Sequence, residues 1–288
     1  MADIKIIIDT SADMPKENFE KYDIGLISFR SIFGEEEFIP GVNMTNEEFY
    51  KKLTSGDIFP TTAQTPQNEI YDILKEESEK HETVIYFTIS SKGSGQNFTA
   101  TRIAEEIMEE NPKADIRIVD TMRYSVYIAS AAVYAVELIK EGIGADELIQ
   151  KCEEYMQSWE AYLLVDTLKY LEKGGRINKT AAIVGTLLDI KPVLTVRDGL
   201  IESVEKLRGK KKVMKKLIEL VKENPDFDEE KKEFIVIHSD ENAGNELVEA
   251  LKDEFDDIKL TMFSEFGPIV GTHTGPGCIA VLFRLKQK

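Results

Sequence analysis

The chain has few of the residues that mark metal sites and disulfide frameworks. Its 288 residues include two cysteines and three histidines. Cys152 and Cys278 lie far apart and form no CxxC pair, so the sequence indicates neither a disulfide framework nor a zinc site. The histidines show no metal-ligand spacing either. We therefore expect no metal ion and no cofactor.

Net positive charge and long apolar runs are also missing. The formal net charge is -17 at pH 7, so most of the surface would repel a nucleic acid or an anionic membrane. No apolar stretch approaches the roughly 20 residues that span a bilayer, and the first residues do not combine a basic start with a long apolar run. We expect a cytoplasmic protein that neither binds nucleic acid nor inserts stably into a membrane. Any anionic ligand must then be held by local donors.

Apolar strands alternate with amphipathic helices in the first half of the sequence. Residues 4–8, 83–89 and 116–119 are apolar runs typical of buried strands, and helical patterns follow at residues 96–110 and 124–140. Such an alternation favours a mostly parallel sheet that is covered by helices.

The pattern changes after Trp159. Apolar residues flank an Asp198-Gly199 pair, which predicts a β-hairpin and therefore antiparallel pairing. At 288 residues the chain exceeds the roughly 100 to 200 residues of a typical domain. We predict two α/β domains: residues 1–160 with a mostly parallel sheet covered by helices, and residues 161–288 with a mixed or antiparallel sheet and helices.

Residues 267–277 have the composition of a binding loop. The segment contains four glycines, two prolines, two threonines and His273. Glycines allow left-handed backbone angles, so consecutive N–H groups can point at one ligand, and hydroxyls and an imidazole can add donors. We predict that this loop binds an anion. The alternative is a glycine-rich turn before the last strand, with the histidine satisfied in the core.

Residues 90–97 lie between a predicted strand and a predicted helix. In open α/β sheets ligands bind at such junctions, where helix N-terminal amides attract anions. Gly93 and Gly95 resemble part of a dinucleotide-binding fingerprint that lacks its third glycine. Alternatively, Ser94 and Gly95 only cap the helix. Residues 61–66 offer hydroxyls before another helix, and there too an ordinary capping turn is the alternative.

Two enzymatic interpretations rest on single residues. Asp9 follows the first strand, as the nucleophile of an aspartyl phosphatase does, but the second aspartate expected two residues later is Ser11. A hydrolase acting on acyl or phosphoryl esters could use Ser94 with His273. However, Ser94 is not in the Gly-x-Ser-x-Gly elbow of such enzymes.

Several short motifs run through nearly the whole chain in a fixed order. They are DTSADMP at residues 9–15, TTAQ at 61–64, SSKGSG at 90–95, DTLKYLEKGGRI at 166–177, IKPVL at 190–194 and GPIVGTHTGPG at 267–277. Together these motifs resemble the DegV family, bacterial proteins that bind a fatty acid. The agreement of several motifs in order makes the resemblance specific.

The resemblance implies a fold and a function. Members of the family have two α/β domains, with the acyl chain buried between the domains and its carboxylate held by hydroxyls and a histidine. In better-understood relatives a separate kinase phosphorylates the bound acid to an acyl phosphate. By this resemblance the chain is a lipid-binding carrier and not an enzyme. It would be the fatty-acid-carrying subunit of a bacterial fatty acid kinase, with a long-chain fatty acid and that kinase as partners.

By motif position, the resemblance also implies site residues. Thr62, Ser94 and His273 would bind the carboxylate, with Thr272 and the backbone near Gly95 as supporting donors. The sequence departs from the family within these motifs, at positions that should alter the shape of the pocket. The departures are Ala63, usually serine, Gly93, usually leucine, and Gln96 and Asn97, usually threonine and tyrosine.

Positive charge is concentrated in residues 206–216, although the chain as a whole is acidic. A solvated helix face is the ordinary explanation of such a run. An acidic or phosphorylated partner is the alternative, and we expect the kinase to dock at Arg176, Arg208 and Lys210.

Overall fold

The computed structural model describes residues 3–56, 58–177, 190–208 and 213–286, without the side chains of Ile190 and Arg208. Up to Gln157 the chain forms, in order, β1 (Ile4–Asp9), α1 (Lys16–Tyr22), β2 (Gly25–Ile27), β3 (Arg30–Phe33), β4 (Glu36–Phe38), α2 (Asn46–Ser55), β5 (Thr61–Ala63), α3 (Gln67–Lys80), β6 (Thr83–Thr88), α4 (Gln96–Glu110), β7 (Ile116–Asp120), α5 (Val126–Lys140) and α6 (Ala145–Gln157).

The rest of the chain forms β8 (Trp159–Leu164), α7 (Lys169–Gly174), β9 (Ile190–Arg197), β10 (Leu200–Arg208), α8 (Val213–Glu223), β11 (Glu233–His238), α9 (Glu241–Glu254), β12 (Lys259–Glu265), α10 (Pro268–Thr274) and β13 (Ile279–Arg284). The elements divide into two compact units. The first unit consists of Met1–Met44 and Thr62–Gln157, and the second of Thr45–Thr61 and Ser158–Lys288.

The first unit is built on a parallel sheet, as the strand and helix alternation predicted. Its strands follow the order β2-β1-β6-β7, and every neighbouring pair is parallel. Strand β6 is buried along its whole length, which is typical of a strand covered on both faces. Helices α3 and α4 pack on one face, where Ile70 and Ile103 join the cluster of buried side chains that contains Ile7 and Tyr86.

A small sheet accompanies the parallel one, in the order β4-β3-β5. Strands β3 and β4, on either side of Gly34, form an antiparallel hairpin. Strand β5 was not predicted, because its threonines next to Pro66 are equally typical of a turn. The strand supplies Thr62 from an extended backbone.

The second unit contains the mixed sheet that the sequence predicted, in the order β10-β9-β8-β13-β11-β12. Only the pair of β11 and β12 is parallel within this sheet of the described residues. The predicted hairpin joins β9 and β10, and Asp198 and Gly199 have φ of 48° and 75°. Positive φ at both central residues is what a tight two-residue turn of type I′ requires.

The segment Thr45–Thr61 groups with the second unit, whereas the sequence assigned it to residues 1–160. Within this segment, α2 begins at a capping box of Thr45 and Glu48 and buries the side chains of Phe49 and Leu53. The Tyr50 hydroxyl donates to the carbonyl of Phe266 at 3.0 Å. These residues are 216 positions apart, so local sequence patterns could not predict the grouping.

Candidate functional site

The carboxyl ends of β1, β6 and β7 lie at one edge of the parallel sheet, since parallel strands run in the same direction. Three polar residues follow or end these strands: Asp9, Ser90 and Asp120. The Asp120 carboxylate accepts the N–H of Ser91 at 3.1 Å, which joins the end of β7 to the loop after β6. The loop predicted as a binding segment is therefore anchored to the sheet edge.

Ser94 lies in this loop, immediately before α4. The N–H groups of Gly93 and Ser94 both donate to the carbonyl of Ser90, at 3.0 and 3.1 Å. Gly95 is the N-cap of α4, and the Ser94 hydroxyl accepts the N–H of Gln96 at 3.2 Å. This bond uses a lone pair of the Ser94 oxygen and not its proton. A hydroxyl donor therefore lies at the positive end of a helix of 15 residues.

The two glycines that flank Ser94 are each covered by a side chain from another segment. A Cβ atom at Gly93 would lie 2.5 Å from the Tyr124 hydroxyl oxygen, and one at Gly95 would lie 2.6 Å from Nε2 of Gln64. Neither position can carry a side chain without displacing its neighbour. The departure from the family at Gly93 thus has a physical explanation, because the Tyr124 ring occupies the space that a side chain at residue 93 would fill.

A buried network of hydrogen bonds lies under the loop. The Asp9 carboxylate is fully buried and accepts the N–H and the hydroxyl of Ser11, the N–H of Ile89 at 3.4 Å and the Tyr86 hydroxyl at 3.1 Å. Burial raises the pKa of Asp9, and these hydrogen bonds oppose the shift. Gln96 in turn donates from Nε2 to the Tyr86 oxygen at 3.1 Å. Asp9 is therefore an acceptor inside the fold, which is a structural role and gives no support to the phosphatase interpretation.

The other two residues of this region that depart from the family form hydrogen bonds within the first unit. Gln96 is fully buried and also donates to the Thr65 hydroxyl at 3.4 Å. Asn97 donates from Nδ2 to the hydroxyl of Thr88 at 3.0 Å. Both side chains bind neighbours in the first unit, so these substitutions change how the first turn of α4 is held.

The segment 61–66 does not form the capping turn that was its alternative reading. Pro66 is the N-cap of α3 and makes no side-chain cap bond. Thr65 is buried and donates to the carbonyl of Ser28 at 2.9 Å. Gln64 accepts the Thr99 hydroxyl at 2.9 Å, which brings the end of β5 to the first turn of α4. The half-buried Thr62 and the Ser94 loop are therefore parts of one region of the first unit.

The segment 267–277 in the second unit is a helix and not the open loop that its glycines predicted. Helix α10 begins with a proline at its first position, which suits a helix start, and ends at Gly275 with φ of 75°. The hydroxyl of Thr272 donates to the carbonyl of Pro268 at 2.8 Å, inside the helix. The proton of Thr272 is thus already used, and Thr272 is better described as a support of α10 than as a donor to an anion.

His273 lies on α10 and packs against Gly174. A Cβ atom at Gly174 would collide with Nδ1 of the His273 ring, so only glycine allows the ring this position. Burial, and secondarily the charge of Arg176, lowers the pKa of His273 from 6.5 to about 4. His273 is therefore a neutral imidazole at pH 7, with one N–H to donate.

Two further glycines fix the packing of α10 on the segment 166–177. A side chain at Gly275 would collide with the Tyr170 ring, and a Cβ atom at Gly277 would lie 2.7 Å from the Asp166 carboxyl group. The glycines of the C-terminal motif therefore allow close packing as well as turns. Sequence reasoning missed this pairing, although both segments belong to the motifs that carry the family resemblance.

The predicted docking residues fall in different parts of the second unit. Arg176 follows α7, and its guanidinium donates to the carbonyl of Gly174. Arg208 is the last residue of β10, and Lys210 lies outside the described residues. The structure adds two cations that the sequence analysis did not single out, because the ammonium groups of Lys169 and Lys173 lie 4.6 and 3.6 Å from the centre of the Phe59 ring.

Within the described ranges, no group of three or more histidine, cysteine, aspartate or glutamate side chains is placed to hold a metal ion. None of the helices in that part of the chain is long and apolar enough to cross a membrane.

Comparisons with known proteins cover nearly the whole chain. Residues 3–286 match the model of the DegV family, which is described as uncharacterised. A DegV domain-containing protein of Clostridium perfringens is 33% identical over 283 residues, which are 96% of this chain and 96% of that protein.

Solved structures agree with these sequence matches. The structure of DegV from Bacillus subtilis, described as a fatty acid binding protein, gives a TM-score of 0.85 at 27% identity and covers 99% of this chain and 100% of that chain. A stearic-acid-binding protein from Eubacterium ventriosum gives a TM-score of 0.86 at 26% identity and covers 99% of this chain and 98% of that chain.

Proposed function

The chain belongs to the DegV family, as its motifs predicted, and we propose that it binds a long-chain fatty acid through a carboxylate held by hydroxyl, backbone and imidazole donors. The observation that carries the proposal is the likeness over nearly the whole chain to structures described as fatty acid binding. The proposed donors are Thr62, Ser94, the backbone near Gly95, and His273. Thr272 supports them by holding α10.

The chemistry of these donors suits a carboxylate that must stay bound without a fixed salt bridge. A buried carboxylate is costly unless several donors meet it. Hydrogen bonds to a charged acceptor are about twice as strong as those between neutral groups. The Ser94 hydroxyl and the neutral His273 ring can each donate one such bond. The acyl chain would add about 0.8 kcal/mol for each methylene removed from water, so the tail would dominate affinity and the donors would set orientation.

The first experiment asks whether the protein carries a lipid. Purified protein is extracted with organic solvent and the extract is analysed by mass spectrometry, and the delipidated protein is then titrated with hexadecanoic acid. We expect an extracted fatty acid and saturable binding. Failure to extract any acyl ligand, together with failure to bind the added acid, would contradict the proposal.

The head-group donors are tested by removing them one at a time. Ser94→Ala and His273→Leu should each weaken hexadecanoic acid binding by about 10- to 150-fold, which corresponds to the roughly 1.5 to 3 kcal/mol of a hydrogen bond to a charged group. Thr54→Ala, at an exposed position on α2, is the control. Equal affinity of both variants and the wild type would remove these residues from the site.

We further propose that this chain presents its ligand to a separate kinase, which forms the acyl phosphate, so that the carrier itself needs no cofactor. A partner that uses ATP would place the pair in the cytoplasm. Docking would use the cations Arg176, Arg208 and Lys210, which stand out in a chain of net charge -17. Opposite charges across such an interface would speed association mainly at low salt.

The docking proposal is tested with Arg176→Ala and Arg208→Ala in an assay of acyl phosphate formation with the cognate kinase. The matched control is Arg102→Ala, because this arginine is 71% exposed in the first unit. We expect a slower reaction for the docking variants at low salt and a smaller difference at high salt. The dissociation constant of the acid is measured for each variant, so that loss of docking is separated from loss of binding. Unchanged rates at low salt would contradict docking at these residues.

The hydrolase alternative makes a different prediction, because it requires turnover without a partner. Acyl and phosphoryl esters are incubated with the wild type and with Ser94→Ala. A carrier should give no activity above the variant, whereas ester hydrolysis that Ser94→Ala abolishes would favour the enzyme.

A further inference from the structure

Ser94 is half-buried and lies between two glycines of the first unit. The glycines on its two sides are covered by Tyr124 and by Gln64, and each cover is close enough to exclude a Cβ atom from the glycine beneath it. Tyr124 and Gln64 therefore occupy the space next to the backbone on the two sides of Ser94. They differ in stiffness, since a tyrosine ring has fewer rotatable bonds than a glutamine and presents a rigid face.

The backbone that carries Tyr124 is held in a strained conformation. Met122 and Ser125 have φ of 50° and 58°, which non-glycine residues adopt only when their surroundings force them to. Hydrogen bonds supply that force on both sides of Tyr124. The Asp120 carboxylate accepts the N–H of Met122 at 3.1 Å, and the Ser125 hydroxyl donates to the Asp13 carboxylate at 2.5 Å.

The same turn is tied directly to the Ser94 loop. The N–H of Ser90 donates to the carbonyl of Arg123 at 2.9 Å, and Asp120 Oδ1 accepts an N–H from each segment. These hydrogen bonds hold the two segments together and position the Tyr124 ring against Gly93. Gln64, which covers Gly95, is exposed, so its flexible side chain can move aside.

We propose that Tyr124 is a specificity-determining residue for the head-group end of the ligand. Its ring narrows the space beside Ser94, so that the site accepts acids with an unsubstituted carbon next to the carboxyl group and rejects acids branched at that carbon. This inference rests on the proposed function, because it takes Ser94 as a carboxylate donor. A binding pocket typically discriminates between two ligands that differ by one carbon by about 10- to 200-fold.

The experiment compares hexadecanoic acid with 2-methylhexadecanoic acid on delipidated full-length protein. Each acid competes with a fluorescent fatty acid, and the ratio of the two dissociation constants is the readout. The wild type should prefer the unbranched acid by about tenfold or more, and Tyr124→Ala should bring the ratio to about one. Tyr124→Phe keeps the ring and should keep the ratio. Tyr134→Ala is the matched control, since that half-buried tyrosine of the first unit stacks on Tyr155 instead.

A second pair of variants keeps the inference testable if Tyr124→Ala folds poorly. Gly93→Ala should displace the ring and change the ratio, and the double variant Gly93→Ala with Tyr124→Ala should bind both acids as Tyr124→Ala does, because the contact is then gone from both sides. A wild type without preference between the two acids would overturn the inference, and so would an unchanged ratio in Tyr124→Ala or in Gly93→Ala. Failure of the wild type to bind hexadecanoic acid at all would instead overturn the proposed function.

Discussion

In the first unit Ser94 is positioned by a network of hydrogen bonds, whereas in the second unit His273 lies beside a cation on a short helix. The Ser94 loop rests on the buried groups of Asp9, Tyr86 and Gln96, and burial raises the pKa of both Asp9 and Tyr86. The His273 ring is held by packing against Gly174, and its charge depends on burial and on Arg176.

The difference indicates a division of roles between the two sets of proposed donors. Serine hydroxyls do not titrate, so the contribution of Ser94 to binding should be the same from pH 5 to pH 9. Histidine can gain a proton, so His273 should add a pH dependence to ligand binding. Variants that act on one unit and leave the other unchanged test this difference between Ser94 and His273.

The largest effect is expected from Asp9→Ala in the first unit. Removal of this carboxylate leaves the buried groups of Tyr86 and Ser11 without their acceptor, which should cost about 3 kcal/mol of unfolding free energy. Hydrogen exchange of β1 and β6 should become about 100-fold faster. The only tryptophan, Trp159, belongs to the second unit and reports on it separately by fluorescence. Unchanged exchange in Asp9→Ala would show that the network does not stabilise the first unit.

A smaller effect is expected from Gly174→Ala in the second unit. The added methyl group must displace the His273 ring, and overpacking of this kind costs about 1 to 3 kcal/mol. We also expect weaker fatty acid binding, measured by titration of the delipidated protein. Gly144→Ala is the control, because no atom lies within 4 Å of a Cβ atom there. Equal affinity of Gly174→Ala and the wild type would mean that the position of His273 does not matter for binding.

The charge of His273 supplies the third prediction. Arg176→Ala should raise the pKa of His273 above about 4, but not to 6.5, because burial is the larger cause of the shift. The ring proton signals of His273 in an NMR titration measure this pKa. The signals of His238 are the reference, because burial also lowers the pKa of that histidine. Added fatty acid should also raise the pKa of His273, since a nearby carboxylate favours the imidazolium form. A titration of His273 that neither change affects would contradict the proposed site.

The lowered pKa of His273 has a consequence for stability with a definite sign. The unfolded chain binds a proton at pH 6.5 and the folded chain only near pH 4. The contribution of this group to stability is therefore fully present above pH 6.5 and is lost as the pH falls towards 4. His273→Gln should flatten the pH dependence of the unfolding midpoint in this window.

The smallest effect is expected from Thr45→Ala, which removes the capping box of α2. Loss of such a cap costs about 1 kcal/mol. Because α2 groups with the second unit, the unfolding curve followed by Trp159 fluorescence should shift to lower urea concentration. Thr54→Ala, on the exposed side of the same helix, should shift it much less. A shift of the same size in both variants would argue against a special role of the cap.

Local patterns in the sequence predicted most of the secondary structure. Helix α4 was predicted with its bounds, because periodic apolar residues and clear end signals mark it. The Asp198-Gly199 hairpin was predicted from its turn residues alone. These features depend on neighbours along the chain, which a single sequence displays.

Features that depend on distant residues were not predicted. The glycines of the segment 267–277 indicated a loop, whereas they permit a helix to pack closely on Tyr170 and Asp166. Thr272 was assigned as a supporting donor by its position in the family motif, yet its proton is used inside α10. No sequence pattern pointed to Tyr124, because its role depends on its contact with Gly93. In each case the sequence did not show which other residue the side chain or segment contacts.

The grouping of α2 with the second unit bears on how the protein is made. During synthesis this helix leaves the ribosome long before the residues 265–271 that it packs against, so the buried side chain of Phe49 lacks these neighbours while the first unit is completed. The nascent chain therefore carries an uncovered apolar face until almost its last residues appear. A chaperone that recognises such a face would have its longest opportunity at this helix, and a chain truncated before residue 265 would leave the face uncovered and prone to aggregate.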